Sequence, residues 1–237
     1  MAIRISELTE ATAVPTDSVI PVVIGGVTKK VTLANLLAPA FNITAFASTT
    51  PLVECGQSIV LAFTSAQNRT PTALTLTNNA NAESKNVQAT PTSFSATLAV
   101  QKNTPNQTVV ATLTGGDGVG TDAANATVTW GQKSFWGVSA SPVATEAFIE
   151  GLANSALDTD AARTFVQSPG GTQYICFAHP TRYGTPTFLI GGVLPGGYVS
   201  LGTTISVTNA QGYTEDYTLW RSVTAGLAAN TSTTVQN

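Results

Sequence analysis

The chain has 237 residues, of which 43% are hydrophobic and only 10% charged, far below the roughly 25% charge of an ordinary globular domain. That composition supports real cores but excludes the usual helical enzyme, whose helices draw on Glu and Lys. Polarity comes instead from Thr, Ser, Asn and Gln, which suit the solvated faces of strands. A net charge of −3, with no basic cluster beyond Lys29–Lys30, excludes an electrostatic footprint for nucleic acid or an anionic membrane.

The opening Met-Ala-Ile-Arg-Ile-Ser-Glu lacks the apolar core of a signal peptide, and no apolar run reaches the roughly 18 residues of a membrane span. Synthesis in a cytoplasm, without cleavage or membrane insertion, is the expectation. Residues 1–40 read as a small extension. Ser18–Ile24 and Val27–Leu33 are β-prone runs separated by Gly25-Gly26, the pattern of a tight hairpin. Pro21 places the first run at a sheet edge, and Ala34–Leu37 fits one helical turn. So small a piece cannot bury a sufficient core alone and must dock onto something.

Residues 41–131 alternate with a period of two. Ile59, Leu61 and Phe63 share one face, opposite Ser58 and Ala62. Phe94, Ala96, Leu98 and Val100 repeat the pattern, as do Val109, Ala111 and Leu113, and then Ala126, Val128 and Trp130. Turn signals at Gly56, Pro71, Asn78-Asn79, Pro91, Pro105 and Gly115–Gly118 separate these runs. Short strands at this spacing predict an immunoglobulin-like β-sandwich, without the Cys…Trp…Cys signature of antibody domains. Residues 132–237 form a second unit. Thr145 is placed to cap a helix running to about Leu157, with Phe148, Ile149, Leu152, Ala153 and Ala156 as its apolar stripe. Tyr174–Ala178, Thr187–Ile190, Thr203–Val207 and Asp216–Ser222 read as strands. The fold class is therefore mainly β: a hairpin extension (1–40), an immunoglobulin-like sandwich (41–131) and a C-terminal β-rich domain with one short helix (132–237).

Reactive groups are sparse. The single histidine, His179, is the one available centre for a Ser/His/Asp arrangement, and no G-x-S-x-G elbow accompanies it. Cys55 and Cys176 lack metal-ligand spacing and read as buried thiols, the alternative being a disulfide between the two β-units. The Gly-Gly-Asp-Gly-Val-Gly run at 115–120 precedes a strand and not a helix, so it reads as a hairpin loop and not a phosphate cradle. Asp117 and Asp122 within and beside it are more simply turn residues than calcium ligands. Asp158, Asp160 and Arg163 read as a solvated loop. No catalytic residue, metal or cofactor is expected, and an enzyme is not the reading. The aromatic residues concentrate in the C-terminal unit. Most belong to its core, while Trp136, Arg182, Tyr183, Tyr213 and Trp220 are candidates for a receptor or subunit contact.

Two stretches carry a family resemblance. Ile5–Thr12, Asp17–Val23 and Gly25–Thr32 resemble the N-terminal anchoring segment of phage tail-fibre and tail-associated proteins. Arg69–Thr72, Asp117–Asp122, Phe135–Ser139, Tyr183–Phe188 with Gly191-Gly192, and Ser206–Thr214 running to Trp220-Arg221-Ser222 are similar to phage virion proteins with an immunoglobulin-like domain followed by a β-domain. The resemblance implies a structural part of a virion, in tail, neck, baseplate or fibre. It implies anchoring to other virion proteins through Ile5, Leu8, Val22, Val23, Lys29, Lys30 and Leu33, and a homotrimer by analogy with fibres. The alternative is a host-attachment module that binds a surface glycan or receptor through the C-terminal aromatics.

Overall fold

The computed structural model describes residues 19–24, 26–32, 39–88, 93–101, 104, 107–118, 120–192, 194–195 and 197–236. Ile5, Leu8, Gly25, Leu33, the Ala34–Leu37 turn, Pro91 and Pro105 lie outside them, as do the side chains of Val22, Ser58, Ile59, Phe94 and Ala96. The chain is 61% strand and 4% helix, and is therefore mainly β.

The strands are β1 (Val19–Ile24), β2 (Val27–Thr32), β3 (Ile43–Ser48), β4 (Leu52–Glu54), β5 (Ser58–Gln67), β6 (Ala73–Asn78), β7 (Glu83–Asn86), β8 (Ser93–Gln101) and β9 (Thr108–Gly116) in the first half. The long β10 (Thr121–Ser139) follows, and then helix α1 (Glu146–Glu150), β11 (Asn154–Asp158), β12 (Arg163–Gln167), β13 (Tyr174–Pro180), β14 (Thr187–Ile190), β15 (Leu194–Pro195), β16 (Tyr198–Thr208), β17 (Thr214–Ser222) and β18 (Thr231–Gln236). β1 and β2 pair as a sheet of their own, in the register Ile24↔Val27 to Val19↔Thr32. In a two-stranded sheet both strands are edges, so Pro21 removes no ladder bond that an inner strand would need.

The sandwich forms between the sheet β3-β5-β8 and the β7-β6-β9-β10 part of a larger sheet. Alternation puts Leu61, Phe63, Leu98 and Val100 of the first against Leu74, Leu76, Val109, Ala111, Leu113, Ala126, Val128 and Trp130 of the second, all buried in one core. Each such aliphatic or aromatic side chain contributes roughly 1.5–3 kcal/mol on burial.

β10 then continues without a break. At 19 residues it is about twice the ordinary maximum. Thr121–Thr129 pairs with β9, Thr129–Gly131 with β4, Gln132–Trp136 with β11 and Phe135–Ser139 with β13. The boundary drawn from sequence at 131/132 falls inside this strand. The large sheet β16-β17-β13-β10-β9-β6-β7 thus belongs to both units. In the C-terminal unit β13 is buried on both faces. Cys176 and Ala178 face a core with Ile149 of α1, Ile205, Val207, Tyr217 and Leu219. Ile175 and Phe177 face Phe165, Phe188 and Val235 of the sheet β12-β18-β14-β15.

One expectation is corrected. Thr145 does cap the helix, its hydroxyl accepting from Phe148 N at 3.3 Å, but α1 ends at Glu150 and not near Leu157. Gly151, Asn154 and Ser155 are weak helix formers, and β10 offers an unpaired edge at Gln132–Trp136, so the chain pairs there as β11 instead. Phe148, Ile149 and Leu152 still pack inward.

Gly131 sits where β4, β10 and β11 meet. A Cβ placed there would lie 2.1 Å from the carbonyl oxygen of Asp158, a backbone atom with no rotamer to yield. Gly131→Ala should therefore cost about 3 kcal/mol of stability or more. Gly171→Ala, with nothing within 4 Å of its added methyl, should stay within about 0.5 kcal/mol of the parent. Urea unfolding followed by tryptophan fluorescence measures both.

Candidate functional site

The residues that carried reactive chemistry in the sequence reading are held in the interior or in local pairs. His179 is completely buried and stacks on Phe177 at 5.6 Å between centroids. Its Nδ1 donates to the Pro180 carbonyl (2.9 Å), and its Nε2 accepts from Trp220 Nε1 (3.1 Å). Both nitrogens are thereby committed to a neutral ring, and burial pushes its pKa down to about 4. Asp158 is not in a solvated loop. It ends β11 and forms an ion pair with Arg163 of β12, whose guanidinium lies 4.5 Å over the Trp136 ring. Burial raises the Asp158 pKa and Arg163 opposes the rise. Asp160 caps the backbone N–H of Ala162 at 2.9 Å.

The 115–120 run lies at the β9–β10 hairpin, as its sequence predicts. Asp117 accepts from Gly120 N at 2.9 Å and pairs with Arg69 at 2.7 Å, whereas Asp122 accepts from Ile43 N at 2.8 Å. The two carboxylates thus serve different segments. Cys55 and Cys176 are free, buried and in separate cores, with their thiols pushed up to about 11 and about 12 by desolvation. Among the described residues no group of three or more His, Cys, Asp or Glu side chains converges to hold a metal, and no helix is long and apolar enough to cross a membrane.

The five candidate contact residues do not form one surface. Trp136, Phe177 and Trp220 are cross-strand neighbours on β10, β13 and β17, and the two tryptophans are partly buried against the aromatic core. Tyr183 is only 9% exposed. Its hydroxyl donates to Asp158 O (2.8 Å) and accepts from Gln132 N (3.3 Å), bridging β10 to β11 and serving no outside contact. Arg182 lies over the Tyr183 ring at 4.4 Å and pairs with Glu215 at 3.2 Å. Tyr213 packs partly buried against the sandwich core.

What the sequence reading missed is the joint between the two units. Asn209 donates from Nδ2 to Cys55 O at 2.8 Å, while its Oδ1 accepts from Gln211 N and Tyr213 N, both at 3.0 Å. One amide shapes the β16–β17 turn and ties it to the turn after β4. Lys133 of β10 pairs with Glu54 of β4 at 3.3 Å. Asn209 lies 154 residues from Cys55, and its local signal, Asn-Ala-Gln-Gly-Tyr, announces only a turn.

The N-terminal hairpin is the opposite of this saturated body. Val19, Pro21 and Val23 share one face with Thr28, Lys30 and Thr32, and Val27 and Lys29 lie on the other. Val19, Val23 and Val27 are 51%, 70% and 58% exposed, and both lysines are exposed. Isolated two-stranded hairpins are marginal in water, and among the described residues this one presents exposed apolar side chains at Val19, Val23 and Val27. The fold and these features define a mainly β chain of two fused sheet units carrying an exposed apolar hairpin. Comparison with protein-family models and with curated proteins finds no match.

The histidine yields a pH test with a definite sign. The folded pKa lies below the unfolded value of 6.5, so between pH 6.5 and about 4 the unfolded chain binds a proton that the native chain refuses. This contribution is fully present above pH 6.5 and falls by about 3 kcal/mol as pH drops to about 4. Denaturant melts at pH 7 and pH 4.5 should show that loss in the parent. His179→Gln shares every carboxylate contribution, so the parent should lose more than the variant over this range, and the excess is the histidine's share.

Proposed function

We propose that the chain is a non-enzymatic structural component of a bacteriophage virion, in the tail, neck or a fibre. In this reading it is made in the host cytoplasm, anchored to other virion proteins through residues 1–40, and projects its two β-units from the particle. The observation that carries the reading is the contrast just described. The body buries its histidine and thiols and ties Asp117, Asp122, Asp158 and Glu215 into internal contacts, whereas the hairpin, in the stretch that resembles phage anchoring segments, exposes Val19, Val23 and Val27. Val22, Val23, Lys29 and Lys30 belong to this hairpin, two lysines on opposite faces around an apolar strip. A homotrimer fits the same need, since three copies bury a small apolar anchor that one copy leaves wet.

Host attachment through a receptor or glycan is the second reading. Its specific support is Trp136, partly exposed with Arg163 stacked on its ring at 4.5 Å. The other candidates are committed to internal partners.

Particle incorporation tests the proposal. The chain should co-sediment with purified phage at fixed stoichiometry. The double variant Val19→Asp/Val23→Asp should lose incorporation at least tenfold, while its melting curve stays within about 0.5 kcal/mol of the parent because both positions are exposed. Absence of the parent chain from purified particles would sink the reading. Mass photometry showing only monomer at micromolar concentration would remove the trimer.

A further inference from the structure

Among the described residues, β8 ends the sheet β3-β5-β8 and β7 ends the larger sheet that faces it. The register shows which backbone groups β8 turns outward. Ala62 of β5 is paired with Thr97 of β8, yet its carbonyl accepts from Thr49 N at 2.9 Å, on the β3 side. Ala62 and Thr97 are therefore a non-hydrogen-bonded pair, and the N–H and C=O of Thr97 point away from β5. Ala99, two residues on, points the same way.

Side chains from the other sheet take these two carbonyls. Lys85 Nζ donates to Thr97 O at 2.6 Å, and Asn81 Nδ2 donates to Ala99 O at 3.0 Å. Glu83 stands between the donors, with one carboxylate oxygen 3.2 Å from Lys85 Nζ and the other 3.2 Å from Asn81 Nδ2. Glu83 and Lys85 lie opposite Asn78 and Leu76 of β6, both buried in the sandwich, so the two charges sit on the inward side of β7. Apolar residues would pack better there, as Val87 does against the same core. Inward-pointing charges on an edge strand deter the addition of a further strand.

β8 is a strand that needs such a cover. Its nine residues, Ser93–Gln101, include no charge, glycine or proline, the composition of a segment that pairs readily with its own kind. Antiparallel pairing of two identical edges is two-fold symmetric, so the partner that fits the bare edge is a second copy of it. That strand would need Thr97 O and Ala99 O as acceptors and would enclose the Lys85 ammonium against its own backbone.

We propose that Asn81, Glu83 and Lys85 form a guard that closes this side of the sandwich and keeps β8 from pairing with the β8 of a second copy. The inference needs nothing from the virion reading.

The test uses the full chain, with size-exclusion chromatography and light scattering across a concentration series. Asn81→Ala/Lys85→Ala removes both donors and should run at no less than twice the parent's mass at the higher concentrations. Adding Thr97→Pro should restore the parent's mass, because proline deletes an outward N–H that β5 does not use and the second copy does. Ser84→Ala, at an exposed position on the other face of β7, should change nothing. Should the double variant fail to fold, Lys85→Met, which keeps the stem and removes only the charged donor, is read in the same way. A guard variant that keeps the parent's mass at every concentration, or one whose association survives Thr97→Pro, would overturn the proposal and leave particle incorporation untouched.

Discussion

The architecture depends on a single backbone crossing. At Gly131 the strand β10 passes from one unit to the next with β4 paired on it and the Asp158 carbonyl so close that no side chain fits. Residue 131 must therefore be glycine, although its conformation is that of an ordinary strand. Once β10 runs through this point, the sandwich and the C-terminal unit share a sheet and cannot hinge as beads on a linker. The remaining joint contacts build on that constraint. Asn209 reaches Cys55, Lys133 reaches Glu54, and the Tyr183 hydroxyl spans Gln132 and Asp158 because the shared strand has already brought them within reach.

A chain with few charges must satisfy strand surfaces by other means, and hydroxyls do so here. Thr164 and Thr234, Thr181 and Thr218, and Thr208 and Thr214 share hydrogen bonds between strands or across a strand end. The few ion pairs are placed where segments must be tied. Arg69 holds the β9–β10 loop through Asp117, Arg163 fastens β12 to β11, and Arg182 holds the end of β13 to β17. Fully exposed ion pairs contribute little individually. These are largely shielded from solvent, so each fixes geometry more than it adds stability. A body so constrained changes shape reluctantly, which suits a static part.

How much of this was legible depended on whether the signal was local. Leu61 and Phe63, or Val128 and Trp130, announce their burial by alternation alone, and the β1–β2 hairpin follows from Gly-Gly between apolar runs. β18 (Thr-Ser-Thr-Thr-Val-Gln) gave no such sign, because its buried Thr233 reads as polar and only Val235 marks a core face. Residues 151–157 satisfied a helical stripe as well as a strand. The decision fell to the free edge of β10, which the segment's own sequence does not contain. The Glu54–Lys133 pair and Asn209 were invisible for the same reason, being local in space and remote in sequence. Aromatic residues pointed the other way. Tyr183 carries the composition of a binding residue, yet its phenol is used as a bolt between two strands.

The two ends of the molecule follow opposite rules. In the body, buried polar atoms are mostly paired, Glu54 Oε1 being an exception. In the hairpin Val19, Val23 and Val27 are left uncovered. A folded chain tolerates a few exposed valines, but a two-stranded sheet is marginal alone, and here Val19, Val23 and Val27 are all exposed. Under the proposed virion role, its order is borrowed from the partner that covers it, and the cost of ordering it is met on assembly. In that role the hairpin, and not the body, is the element that answers to a partner.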